Sequence, residues 1–340
     1  MLDPNNLKNM RPEIIFSAAL AAALLTACDK AAEIRETECA FAEEMSELKV
    51  IIPLDYVTRA SGTGSETDEN ALSSVQVFVF NDSGNIEAYK TASSGDLNIS
   101  CTMGKKTVVA LVNAPEASAV KTIDGLRGMT TQLTDNDRKS FVMYGESAVS
   151  VAAASVSVTV EVRRFAAKII LQKITNRIEL VQYQSAPIEV TGLYLINVAG
   201  NASFSGISVP TLWLNKSGNK ESSDCLFYEK PASLQIACGS SDASAHHFYC
   251  YPNPVSEDSS STQWTPRHTR LVIEAIVGGH LCYYPITLPK ISGNTIYTIG
   301  ELTVTRLGTD TPDVESVVGG ATFEISVAPW ENETVQSVTI

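Results

Sequence analysis

The residues able to do chemistry are few and badly spaced for it. His246 and His247 are adjacent, so on a strand they point to opposite faces and cannot share a metal ion. His268 and His280 stand alone, and all four read as surface or partly buried side chains. The sequence holds no GxSxG elbow, HExxH or Walker A pattern. Gly62-Thr63-Gly64 has no strand–turn–helix around it and reads as loop flexibility. Asp135 with Asp137 and Asp310 with Asp313 lack EF-hand spacing and read as solvated turn residues. Nothing points to the paired carboxylates of a glycosidase. The expectation is a protein without catalytic residues, metal or cofactor, and not an enzyme.

Cysteine is the exception. Cys28 closes an apolar run of fourteen residues, Ile14 to Ala27, short of the ~20 that span a bilayer. The run reads as a signal-peptide core, and Leu25-Thr26-Ala27-Cys28 resembles a lipobox whose cysteine is acylated and becomes the new N-terminus. An ordinary secretory signal with an incidental cysteine is the plainer alternative. The basic flank is only Lys8 and Arg11, and Met10 would start a conventional short signal. Cys39, Cys101, Cys225, Cys238, Cys250 and Cys282 are widely spaced, with no CxxC. An exported chain permits pairing, but Cys101 and Cys282 read as small buried hydrophobes.

The elements that must carry these residues are mostly strands. A formal charge of −13 over 340 residues offers no basic surface for nucleic acid, and the length suggests two domains. Residues 29–47 read as an acidic tether. Leu48, Val50, Ile52, Leu54 and Tyr56 then alternate as one buried face of a strand over 48–58. Pro53 cannot donate to a ladder, which predicts an edge position. The polar, glycine-rich stretch 60–70 predicts an exposed, protease-accessible loop.

Further strands are predicted at 75–80, 97–101, 107–112 and 155–162, with Val156, Val158, Val160 and Val162 facing in. A helix is predicted over 117–133. Later strands fall at 165–174, 189–198, 248–251, 270–277, 283–288 and 295–305. In the tail, Phe323, Ile325 and Val327 alternate within 322–330, and Thr334–Ile340 alternates weakly through Val335 and Val338. Many short strands with one helix argue for an all-β chain (minor α) of β-sandwiches. The divisions are a signal peptide at 1–28, a propeptide at 29–59, sandwiches at 60–163 and 164–307, and a linker with tail at 308–340.

Several segments in order resemble the Bacteroidales major fimbrillin family, the shaft subunits of type V pili. They are Arg59-Ala60 before the glycine-rich loop, Val75–Phe80 with Gly84, Thr107–Ala114 and Arg164–Ile169. Then come Phe248–Asn253, Thr269–Ala275, Leu302–Gly308 and the closing Ala328-Pro329-Trp330. The resemblance implies export as a palmitoylated lipoprotein of the outer membrane and two transthyretin-like β-sandwich domains. It implies cleavage by an arginine-specific protease, here at Arg59–Ala60, and loss of lipid, tether and the 48–58 strand. The vacated groove would accept a strand from the tail of another subunit, building a homopolymer that supports adhesion through an unidentified receptor. Membrane contact would then be only through the precursor's lipid.

The physics of the residues runs the same way. Five apolar side chains at ~1.5–3 kcal/mol each would hold the strand by on the order of 10 kcal/mol, and its loss would leave an edge needing a new strand. Arg35 is a competing arginine, but cutting there would not open the groove. A tip or accessory subunit accepts a strand without donating one, and the tail argues against that role. A permanently anchored lipoprotein binding glycan or host protein is a further alternative, weakened by tryptophans scattered at 213, 264 and 330.

Overall fold

The structure is a computed structural model that describes residues 44–53, 69, 71–93, 95–206, 209–218, 220, 226–259, 263–314, 321–330 and 336–337. Strands dominate throughout. The first group is β1 (Met45–Ile51), β2 (Val75–Asn81), β3 (Ile86–Ala92), β4 (Asp96–Thr102) and β5 (Gly104–Val112). Helix α1 (Ile123–Gly128) and β6 (Thr130–Gln132) follow, then β7 (Met143–Val151), β8 (Ser155–Thr159) and β9 (Arg163–Arg164). They form a five-stranded sheet, β3-β2-β5-β7-β9, and a three-stranded sheet, β4-β1-β8. Alternation sets the facing: Leu97, Ile99 and Cys101 of β4 point into the core, as does Val158 of β8.

The second group begins with β10 (Ala167–Leu171), β11 (Ile174–Asn176), β12 (Ile188–Ile196), β13 (Val198–Ala199), β14 (Asn201–Ser203) and β15 (Trp213–Leu214). Short strands β16 (Tyr228–Glu229), β17 (Leu234–Ile236) and β18 (Ser241–Asp242) precede β19 (His246–Cys250). Next come β20 (Arg270–Val277), β21 (His280–Thr287), β22 (Thr295–Ile299) and β23 (Leu302–Val304), and the tail adds β24 (Ala321–Thr322), β25 (Ile325–Pro329) and β26 (Gln336–Ser337). Their sheets run β19-β10-β22-β25-β26, β18-β11-β23-β24, and β16-β12-β20-β21 with β17 also on β12. Strand β14 reaches back to pair with β6. Beside that ribbon Phe165 packs against Phe204 at 5.6 Å and faces Tyr251 edge-on at 6.3 Å. One continuous apolar core serves both groups of sheets.

Several expectations need correction. The N-terminal strand begins at Met45, inside the segment assigned to the tether, and ends at Ile51. It lies in the middle of its sheet rather than at an edge. Pro53 follows the last ladder bond, Ile52 N–H to Gly95 O at 2.8 Å, so its missing donor costs nothing. The helix predicted over 117–133 is real only at Ile123–Gly128, capped by the Thr122 hydroxyl. The segments 165–174 and 295–305 are each interrupted, giving β10 and β11, and β22 and β23. Trp213 and Trp264 are not scattered; they meet edge-on at 5.6 Å.

Candidate functional site

Strand β1 is gripped from both sides. It pairs antiparallel with β4, Leu48 opposite Ile99 and Val50 opposite Leu97. It pairs parallel with β8, Leu48 opposite Val156 and Val50 opposite Val158. Ladder bonds continue past its end, Val160 N–H donating to Ile51 O at 2.9 Å. Leu48, Val50 and Ile52 are buried while Glu47 and Lys49 are exposed. At ~1.5–3 kcal/mol each, the three apolar side chains contribute roughly 5–9 kcal/mol, an upper estimate. Only β1 joins β4 to β8 in that sheet, so its absence would leave two facing rows of unpaired backbone groups above an apolar floor.

The inward face has one polar member. Ser46 is 3% exposed and its hydroxyl donates to the Ala153 carbonyl at 2.6 Å. Its register partner on β4 is Cys101. Extending the alternation of Leu48, Val50 and Ile52 back one step reaches Ser46; its polar type concealed it.

The tail is docked on its own chain. Strand β25 pairs with β22 over five positions, from Thr295 opposite Pro329 to Ile299 opposite Ile325. Ile325 is buried, and Phe323 and Val327 are half-buried. Trp330 stacks on Tyr249 at 5.9 Å, meets Phe141 edge-on at 5.4 Å, and lies 4.8 Å under the Arg164 guanidinium. Its N–H donates to Asn294 O at 3.0 Å. Upstream, Asp313 accepts from Arg270 at 2.7 Å, Arg267 at 3.1 Å and Asn197 at 2.9 Å, which pins the chain before the tail.

A second buried charge cluster holds the chain at Glu69. The Lys168 ammonium lies 3.0 Å from Glu69 Oε1, and the Tyr249 hydroxyl also donates to Glu69. Burial, and then the nearby positive charge of Lys168, push the His247 imidazole down to about 4, and its Nδ1 has no hydrogen-bond partner. A folded value below the ordinary ~6.5 means the unfolded chain takes up the proton first on acidification. Stability from the neutral ring is complete above about pH 6.5 and is lost as pH falls toward 4. Thermal unfolding at pH 7 and pH 5 should therefore show a smaller acid loss in His247→Gln than in the wild type; equal losses would refute the assignment.

Of the residues singled out in the sequence, Leu48, Val50 and Ile52 share the groove. Leu54, Tyr56, Arg59, Ala60, Cys28, Val335 and Val338 lie outside the described residues. The structure does not bring β1 and the tail into one sheet. Cys101, Cys250 and Cys282 are free and buried, and Cys238 is half-buried. Glu69 and Trp330 were not foreseen as anchors. Among the described residues, no three His, Cys, Asp or Glu side chains are grouped to hold a metal.

Comparison with known proteins bears out the resemblance drawn from the motifs. Residues 47–180 match the sequence family described as major fimbrial subunit protein (FimA). No curated protein matches the chain. A fimbrilin from Porphyromonas gingivalis superposes with a TM-score of 0.59 at 17% identity, covering 84% of this chain and 97% of that one. A proposed cell adhesion protein from Bacteroides eggerthii gives 0.59 at 20% identity, covering 84% and 96%. Another from Parabacteroides distasonis gives 0.57 at 16%, covering 84% and 99%. The fold is fimbrilin-like.

Proposed function

We propose, from a match to the fimbrial family over 47–180 and a fimbrilin-like fold, that this chain is a subunit of a surface fimbria that assembles by strand exchange. The observation that carries the proposal is the central place of β1 between β4 and β8. A strand contributed by residues upstream of Arg59 completes the core, so a cut after Arg59 makes that strand a separate, removable peptide. The precursor is lipidated at Cys28, cut at Arg59–Ala60, and relieved of β1. The groove then takes a strand from the tail of a second copy, giving β-strand addition in which the ladder supplies affinity and side-chain pockets supply register. Such head-to-tail contacts need not close and generate filaments. A shaft role follows from the tail, which a tip subunit would not need.

The test treats purified chain from Cys28 onward with an arginine-specific protease and runs it unheated on a denaturing gel beside Arg59→Ala. Wild type should give a ladder of SDS-resistant species with Ala60 as N-terminus, and Arg59→Ala a single monomer band. Clean cleavage without a ladder would make the chain a tip or accessory subunit. Resistance at Arg59 would favour a permanently anchored lipoprotein.

A further inference from the structure

Strand β4 ends its sheet, and β3, packed beside it, ends the larger one. The ladder fixes which way β4 turns its backbone. Met103 N–H donates to Glu44 O at 3.2 Å and Ile52 N–H to Gly95 O at 2.8 Å, so the odd-numbered residues of β4 bond to β1. Asp96, Asn98, Ser100 and Thr102 therefore turn their N–H and C=O groups outward. An open row of this kind is a template for another strand.

Side chains from β3 and β5 close that row. Val79 pairs with Ala88 and Phe80 with Ile86, so Glu87 is the extra residue of a β-bulge. A bulge re-aims its side chain, and here the Glu87 carboxylate accepts the outward Thr102 N–H. Its other oxygen receives Lys106 Nζ at 2.5 Å, and the same ammonium donates to the Thr102 hydroxyl at 2.8 Å. Lys90 donates to the outward Asn98 carbonyl at 2.8 Å. Lys106 is 6% exposed, which sets this pair apart from a solvated surface contact. Burial alone would raise the Glu87 carboxyl, but hydrogen bonds from Lys106 and the Thr102 N–H outweigh it and hold it below the usual range. At neutral pH it is therefore an acceptor only. The opposite seam uses the same device without charge: the Ser147 hydroxyl of β7 donates to the Thr159 carbonyl of β8 at 2.9 Å.

We infer that the outer edge of β4 is a latent docking edge for the β4 of a second copy, and that the bulged Glu87, with Lys90 and Lys106, holds it shut. Two copies of one strand meet antiparallel about a two-fold axis, each edge offering the other the same row of donors and acceptors. The inference stands apart from the strand exchange proposed above. In such an assembly its consequence would be single-file growth, because an incoming strand would find the β1 slot and no second edge.

The triple variant Glu87→Leu/Lys90→Ala/Lys106→Met opens the edge and replaces the buried pair with apolar side chains of similar size, an exchange that stability usually tolerates. Uncut chain from Cys28 onward is compared with it in the analytical ultracentrifuge at matched concentrations. The wild type should sediment as a monomer, and the variant should shift to a dimer as concentration rises. In that dimer the Ser100 amide should exchange with deuterium roughly tenfold more slowly than in the wild type. A folded variant that stays monomeric, or a dimer with unchanged exchange at Ser100, overturns the inference. The wild-type chain supplies a reading that does not depend on how the variant folds. Its Thr102 amide should exchange roughly tenfold more slowly than its Ser100 amide, two residues away on the same edge. Equal rates would mean that Glu87 leaves the edge open, and would overturn the inference by themselves.

Discussion

Ser46→Cys should weld β1 into its sheet and abolish assembly under oxidising conditions. Ser46 and Cys101 are register partners on the inward face, in a hydrogen-bonded antiparallel pair whose Cα atoms lie about 5.5 Å apart, within the range a disulfide spans. Burial, and then the Glu87 charge, raise the Cys101 thiol above its ordinary value, so the bond should form slowly and need an oxidant. Once formed, it keeps the peptide in the groove after the chain is cut. The expected result is complete cleavage with no ladder, the β1 peptide still attached by mass, and a full ladder restored by reductant. A ladder that forms with the disulfide intact would show that β1 need not leave, and strand exchange would be wrong.

Arg270→Met should cost about 3–5 kcal/mol, the usual penalty for removing one partner of a buried ion pair. Arg270 is 2% exposed and joins Asp258 and Asp313. The methionine would leave both carboxylates buried with the guanidinium gone. At this chain length the loss corresponds to a fall in Tm of roughly 4–7 °C. Burial alone would raise the Asp258 carboxyl, but hydrogen bonds from the His268 N–H and Arg270 outweigh it and hold it below the usual range. A depressed carboxyl stabilises at neutral pH and loses that contribution as pH falls through its folded value. The variant should therefore lose stability at pH 7 and show a shallower acid decline than wild type below about pH 4. Calorimetry across that range checks both, and a Tm within 2 °C of wild type at pH 7 would dismiss the cluster as a structural anchor.

The groove was half legible in the sequence. Leu48, Val50 and Ile52 announce a buried face because a strand has a period of two. Their neighbours do not announce themselves, since β4 and β8 are distant in sequence and register is a tertiary property. Pro53 misled because a missing N–H matters only within paired residues, and the pairing stops at Ile52. β3 and β7 escaped notice because Glu87, Lys90, Glu146 and Ser147 break any clean alternation on half-exposed strands. Trp213 and Trp264 are far apart in the chain, and only the fold joins them. The tail's strand character was legible, but its attachment to β22 was not, because Trp330 finds Phe141 and Tyr249 only once both groups of sheets are assembled.

The direction in which β1 runs has a consequence at the scale of the fibre. It lies antiparallel to β4 and parallel to β8, so the two walls of its slot are unlike. A strand entering backwards would meet the wrong hydrogen-bond spacing on both walls at once. In a filament built by the proposed strand exchange, every subunit would then join facing the same way and the two ends would differ chemically. One would present an empty slot and the other a spare strand, so growth at the two ends would answer to different caps.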